Sequence, residues 1–133
     1  MADESNEYIS EHDIDGRIEQ AQSYYDNRDP HKAFELFEIL SDVPYAQYML
    51  GDMCYTGIGT ERDYIKAFDW IKKAACNGIV PAVYMLGLCY ELGNGTEKNI
   101  DEARVYYKIA AEAGDDSAAK RLNRIMADNG ELD

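Results

Sequence analysis

Apolar residues follow one another along this chain at the spacing of one helix face, in short segments that Gly, Pro and Asp interrupt. From Pro44 the spacing predicts a helix of about three and a half turns that ends at Gly57, a residue type that commonly closes helices. Asp63 is a favoured N-cap type, and a second apolar-periodic segment continues from it to Gly78. The pattern therefore predicts a helix, a seven-residue loop (57–63) and a second helix.

The same unit occurs twice. The segment 46–78 aligns without a gap on the segment 82–114, and each matched residue is displaced by 36 positions. The motif GTERDYIKA, which begins at Gly59, returns as GTEKNIDEA from Gly95. Gly, Ala and aromatic residues recur in register, and the period falls in the range of helical repeat arrays, so the duplication predicts a solenoid.

A shorter copy precedes these two units, and a single helix follows them. The first copy contains two apolar-periodic segments divided by Asp29-Pro30, but it lacks the Gly-x-Gly loop. The residues after Gly114 repeat the start of a unit and then stop. We therefore predict an all-α protein, an α-α superhelix (solenoid) of three helix-turn-helix repeats closed by a C-terminal capping helix. The predicted repeats cover about 14–43, 44–79 and 80–115, and the predicted capping helix covers 116–128.

The order of small, aromatic and charged residues in the unit from residue 46 to residue 78 resembles the Sel1-like repeat, the 36-residue relative of the tetratricopeptide repeat. The residues that carry the resemblance are Ala46, Leu50, Gly51, Gly57, Gly59, Asp63, Lys66, Ala67, Trp70, Lys73, Ala74, Ala75 and Gly78. Cys54, Asn99 and Glu102 depart from the family pattern at an aromatic, an aspartate and a lysine position. The resemblance implies a groove, lined by the first helix of each pair, in which relatives bind proteins or peptides.

Composition and length restrict the class of protein. A chain of 133 residues with 46% hydrophobic content suits a single domain (13–128) with its own core. No apolar run reaches the roughly 18 residues of a membrane span, and the N-terminal residues lack the pattern of a signal peptide. We therefore expect a cytoplasmic protein without a membrane partner.

Negative charge concentrates near both ends of the chain, which carries a formal net charge of −13. We expect residues 1–12 to form an acidic, flexible N-terminal arm and residues 129–133 to form an acidic tail. The arm is also a candidate self-inhibitory segment that folds back into the groove. Because nucleic acid binding needs a basic face, we expect no nucleic acid partner.

Catalytic chemistry has little support in the sequence. His12 and His31 stand without ligand-spaced Cys, Asp or Glu, and the Gly-x-Gly loops follow helices and lack the Gly-Lys ending of a phosphate loop. We expect no enzyme, no cofactor and no metal. The odd count of three cysteines favours free thiols. One cysteine-rich branch of the resembled family has a bridge in each repeat and has been linked to β-lactam binding, which keeps a β-lactam-binding or hydrolase-like protein as an alternative.

The groove helices contain the candidate binding residues. Tyrosine is frequent, with 11 residues in the chain, and supplies a large contact area with a polar tip. Tyr45 and Tyr55 have no aromatic counterpart 36 residues later, which favours partner contact, whereas Tyr48 and Tyr84 recur and fit packing or contact equally. The predicted partner-binding residues are Arg17, Tyr25, Tyr45, Tyr48, Asp52, Tyr55, Tyr84, Leu88, Glu91 and Arg124.

The charge of the groove limits the partner. Segments 44–56 and 81–92 contain no basic residue, so a clamp for a partner's terminal carboxylate is unsupported there. Asp52 and Glu91 suit instead a protein or peptide that presents Lys or Arg among apolar residues. We predict a non-enzymatic protein–protein interaction module, either an adaptor or regulator or, by analogy of fold, a bacterial immunity protein that neutralises a cognate toxin. A self-assembling structural protein, a homo-oligomer stacked through imperfectly capped repeat ends, is a further alternative.

Overall fold

A computed structural model describes residues 11–132, with side chains from residue 13, and in that part of the chain it contains seven helices and no strand. The helices are α1 (Glu11–Asp26), α2 (Pro30–Ile39), α3 (Pro44–Thr56), α4 (Tyr64–Cys76), α5 (Val80–Leu92), α6 (Ile100–Glu112) and α7 (Asp116–Asp128). This order confirms the predicted superhelix of three helix pairs and a capping helix. The predicted flexible arm and its self-inhibitory role lie outside the described residues, apart from the first two residues of α1.

The helix ends have the local chemistry that their sequences predict. Gly57 and Gly93 adopt the left-handed conformation, with φ of 78° and 73°, and close α3 and α5. The side chains of Asp63 and Asn99 accept hydrogen bonds from backbone N–H groups in the first turns of α4 and α6. Asp29 stands at the N-cap position of α2, but its side chain makes no capping hydrogen bond.

Three core clusters hold the superhelix together, and each one takes residues from three consecutive helices. The first joins α1, α2 and α3 around Phe37 and Leu50, and the second joins α3, α4 and α5 around Ile71 and Leu86. The third joins α5, α6 and α7 around Tyr107. Each pair therefore buries its apolar surface only when the next helix covers it, which is the physical basis of a solenoid.

Two helical glycines allow the helices of a pair to approach closely. A Cβ atom on Gly51 would lie 2.7 Å from Ile71 Cγ1, and one on Gly87 would lie 2.6 Å from the ring of Tyr107. A side chain at either position would force the two helices of the pair apart. Of the two neighbouring tyrosines on α6, Tyr106 is partly buried and Tyr107 is fully buried.

The second glycine of each Gly-x-Gly loop explains why this motif repeats. A Cβ atom on Gly59 would lie 2.5 Å from the carbonyl oxygen of Pro30, at the start of α2. A Cβ atom on Gly95 would collide with the carbonyl oxygen of Tyr64, at the start of α4. Each loop thus packs against the second helix of the preceding pair, where a side chain has no room.

Candidate binding groove

One face of α3 presents a continuous row of polar and aromatic side chains. Tyr45, Tyr48, Asp52 and Tyr55 follow one another at intervals of three or four residues, so they share one side of the helix. The hydroxyl of Tyr45 donates a hydrogen bond to Gln22 Oε1 on α1 at 2.6 Å, which places the first helices of successive pairs side by side. These first helices form the wall of the predicted groove.

Tyr25, Tyr45, Tyr48 and Asp52 form what we call the tyrosine–aspartate cluster. The ring centroids of Tyr45 and Tyr48 are 6.1 Å apart, and Tyr45 is 36% exposed. Burial raises the pKa of the three phenols, and the negative charge of Asp52 raises the pKa of each one further. The four side chains of the cluster therefore interact electrostatically.

Asp52 is the acidic residue of this cluster, and its surroundings are unusual for a carboxylate. Its carboxylate is half-buried, and burial raises its pKa above the usual range for an aspartate. Within residues 13–132 no side chain forms an ion pair or hydrogen bond with this carboxylate. The second acid near the cluster, Asp26, also raises the pKa of Tyr25 and Tyr45, so the cluster is a region of negative potential.

The other predicted acid of the groove, Glu91 on α5, is already paired. The hydroxyl of the buried Tyr107 donates to Glu91 Oε1 at 2.6 Å, and Arg121 Nη1 on α7 donates to the same oxygen at 3.2 Å. Burial lowers the pKa of Arg121, but Glu91 and Tyr107 raise it by more. This network neutralises Glu91 and attaches α7 to the preceding pair. No local pattern pointed to Arg121 as the partner of Glu91, because the two residues lie 30 positions apart.

The remaining predicted site residues occupy different surroundings. Tyr55 accepts a hydrogen bond from Asn94 Nδ2 at 2.8 Å, and its ring centroid is 5.0 Å from that of Tyr64. Tyr55 therefore contacts the loop of the next repeat through Asn94.

Tyr84 packs beside the buried Tyr107, with ring centroids 5.8 Å apart, and Leu88 is half-buried against the third core cluster. Of the two arginines, Arg17 is half-buried on α1 and Arg124 is exposed on α7. Their contact with a partner stays a prediction.

The Sel1 repeat model matches residues 19–42, 44–79 and 80–115 of this sequence. The chain belongs to the Sel1 repeat family. A solved Sel1 repeat protein from Oxalobacter formigenes shares 32% sequence identity and a TM-score of 0.75, over 84% of this chain and 89% of that one. Both the repeated sequence and the superhelix are therefore those of Sel1 repeats.

Two curated relatives contain a stretch similar to these Sel1 repeats. The chitin synthase regulator SKT5 of Malassezia restricta is 40% identical over 60 residues, which are 45% of this chain and 4% of that protein. The ERAD-associated E3 ubiquitin-protein ligase component HRD3B of Arabidopsis thaliana is 34% identical over 76 residues, or 57% of this chain and 12% of that protein. The chain thus spans a small part of each. Sel1 repeat proteins generally serve as protein-interaction modules.

A cleft of about 560 Å³ lies away from the groove, beside the second helices α2 and α4 of the Sel1 repeats. Acidic and basic side chains alternate along it, and Lys73 Nζ already lies 4.6 Å from the ring centroid of Trp70. Its residues are Phe34, Glu38, Cys54, Thr60, Glu61, Arg62, Asp63, Lys66, Asp69, Trp70 and Lys73. Because Lys73 already covers the aromatic ring of this cleft, we regard the groove as the better candidate site.

The part of the chain that the structure describes contains no group of three or more His, Cys, Asp or Glu residues placed to hold a metal ion. None of the helices between residues 11 and 132 combines the length and the apolar character that crossing a membrane requires.

The three cysteines of the Sel1 repeats differ in exposure, and all three are free. Cys54 and Cys89 are buried, and burial raises the pKa of Cys89 to about 11, whereas Cys76 is exposed. At about pH 8 we expect one thiol per folded chain to react quickly with a disulfide reagent, and all three to react in denaturant. Cys76→Ser should abolish the fast reaction. Rapid reaction of three thiols in the folded chain would contradict the burial of Cys54 and Cys89.

Proposed function

We propose that this chain is a non-enzymatic binding module that holds a partner protein or peptide in the groove lined by α1, α3, α5 and α7. The observation that carries the proposal is the tyrosine–aspartate cluster, where tyrosine side chains lie near a carboxylate that has no partner within the described part of the chain. Tyrosine contributes strongly to protein interfaces because it buries a large area at low entropic cost. Membership of the Sel1 repeat family supports the same function.

The partner is expected to present basic and apolar residues. Among the groove acids, Glu91 is neutralised by Arg121, whereas the Asp52 carboxylate has no ion-pair partner among residues 13–132. The apolar ring surfaces of Tyr45 and Tyr48 adjoin this charge. A lysine or arginine beside an apolar side chain therefore complements the surface, and its approach should become slower at high salt.

An adaptor or regulator role is better supported than an immunity role. The two curated relatives are named as a regulator and as a component of a ligase, and neither name describes an immunity protein. The β-lactam-binding alternative loses support because Cys54, Cys76 and Cys89 form no bridge. Free thiols also support a cytoplasmic location, because a reducing compartment keeps cysteines unpaired.

The test is capture of the partner from a lysate of the source cell, followed by calorimetry with the purified partner. Tyr45→Ala/Tyr48→Ala should weaken binding at least tenfold, because each central tyrosine of an interface contributes about 1–2 kcal/mol. The matched control is Ile65→Ala/Val105→Ala, which truncates exposed side chains on α4 and α6. Circular dichroism must show that both variants are folded.

Three results would overturn the proposal. If the groove variant retained the partner and the control lost it, the binding surface would lie on the second helices. If the protein captured nothing and its mass in solution rose with concentration above the 15.1 kDa of one chain, self-assembly would explain it better. If the purified chain hydrolysed a β-lactam, the non-enzymatic assignment would be wrong.

A further inference from the structure

We infer that the tyrosine–aspartate cluster is a binding site for one cationic side chain, an arginine or a lysine, that the partner inserts between the phenol rings and Asp52. The inference rests on the proposed function and adds the chemistry that the site recognises. The rings supply faces of negative electrostatic potential, and the Asp52 carboxylate supplies a full negative charge on the same side of α3 as Tyr45 and Tyr48.

The rings of the cluster are held in place before any ligand binds. Tyr45 donates its hydroxyl hydrogen to Gln22 at 2.6 Å and makes an edge contact with the buried Phe37, with ring centroids 6.3 Å apart. Tyr48 is tilted by 54° against Tyr45. A ligand therefore meets aromatic faces whose freedom is already reduced, which lowers the entropy cost of binding.

Other aromatic rings of this chain are already covered by its own cations. Lys32 lies over Tyr24 at 5.3 Å, and Arg62 lies over Tyr64 at 5.4 Å. Cation contacts of the same kind are present at Phe68 and Trp70.

The tyrosine–aspartate cluster differs from these rings in its cation contacts. Between residues 13 and 132 no lysine or arginine covers the rings of Tyr25, Tyr45 or Tyr48, and none pairs with Asp52. The negative charge of Asp26 adds to that of Asp52. The cluster therefore has the negative components of a cation site but no cation of its own.

The fold does not require an acid at this position. The residue 36 positions after Asp52 is Leu88, which packs against the third core cluster in the corresponding turn of α5. A half-buried carboxylate without a partner is unfavourable for the folded state. Asp52→Leu should therefore raise the Tm of the free protein while it abolishes cation binding, a combination that a purely structural role would not produce.

The direct test uses small probes and NMR of the protein labelled with ¹³C in its tyrosine rings. The probes are N-acetyl-arginine methylamide, N-acetyl-lysine methylamide and the neutral isostere N-acetyl-citrulline methylamide. We expect the arginine or the lysine probe to shift the ring signals of Tyr45 and Tyr48 in a saturable way, with the citrulline probe at least tenfold weaker. Asp52→Asn should weaken the response at least tenfold, whereas Asp69→Asn, which removes an exposed acid from α4, should leave it unchanged.

Equal responses to arginine and citrulline, or an unchanged response in Asp52→Asn, would overturn the cation site. The failure of this inference is distinguishable from the failure of the proposed function. If the Tyr45→Ala/Tyr48→Ala variant lost a captured partner while the probes gave no charge-dependent shift, the groove function would stand and the cation site would be wrong. If the probes bound as expected while capture proved independent of Tyr45 and Tyr48, the cation site would stand without a protein partner in the groove.

Discussion

Gly95→Ala should lower the free energy of unfolding by about 3 kcal/mol, because it combines two costs at one position. The residue has a φ of 78°, where a side chain is strained, and its new Cβ atom would collide with the carbonyl oxygen of Tyr64. It would also lie 2.9 Å from Phe68 Cβ, so α4 would have to move away from the loop. The substitution would therefore weaken the contact between consecutive repeats.

Gly78→Ala is the matched control for this substitution. Gly78 has a similar φ of 85°, but a Cβ atom built there meets nothing within 4 Å. It should therefore show the conformational cost alone, about 1 kcal/mol. Urea unfolding followed by the fluorescence of Trp70, the one tryptophan of the chain, measures both variants. Equal losses would show that the loop at Gly95 is not packed against α4 as described.

Glu91→Ala should lower the free energy of unfolding by about 2 kcal/mol, chiefly by loosening α7. The substitution removes the acceptor for the buried Tyr107 hydroxyl and leaves Arg121, whose side chain is 31% exposed, without its ion pair. Leaving a buried donor unsatisfied costs more than the net worth of the bond itself. Relative to the wild type, amide exchange in α7 of the variant should accelerate more than amide exchange in α3.

Arg104→Ala, which removes an exposed ion pair, is the comparison for Glu91→Ala. Arg104 makes a bidentate ion pair with Glu131 at 2.9 and 2.6 Å, which are shorter distances than the 3.2 Å between Arg121 and Glu91. Both side chains are more exposed than Glu91, however, and exposed ion pairs contribute little to stability. We expect no measurable loss for Arg104→Ala. A loss equal to that of Glu91→Ala would mean that burial does not distinguish the two pairs.

The Glu131 contact also shows what charge composition alone misses. The acids near the C-terminus were grouped as an acidic tail, but Glu131 lies against α6 through Arg104. A negative residue in a charged terminal segment is typical of a solvated tail. Its partner lies 27 positions earlier in the chain, and no local pattern connects the two.

Sequence reasoning proposed the groove residues, but it did not predict which of their charges are paired. Asp52 and Glu91 were predicted as equivalent acids, and the structure separates them because Arg121 reaches only Glu91. The sequence pointed to Arg124, which is exposed on α7, and missed Arg121. Which residues of an amphipathic helix meet a neighbour depends on how the two helices are rotated against each other, and this rotation is not encoded in the helix alone.

The amino-acid sequence by itself determined the repeat period, the helix ends and the all-α superhelix. These features depend on interactions within a few residues, such as the left-handed Gly57 and the N-cap Asp63, and on a duplicated pattern that is visible without coordinates. Only the tertiary structure decided that Tyr107 rather than Tyr106 is fully buried. It also decided that Glu91 pairs with Arg121, whereas Asp52 has no ion-pair partner among residues 13–132. Those outcomes depend on side chains from different helices, and their relative placement is set by the packing of the whole stack.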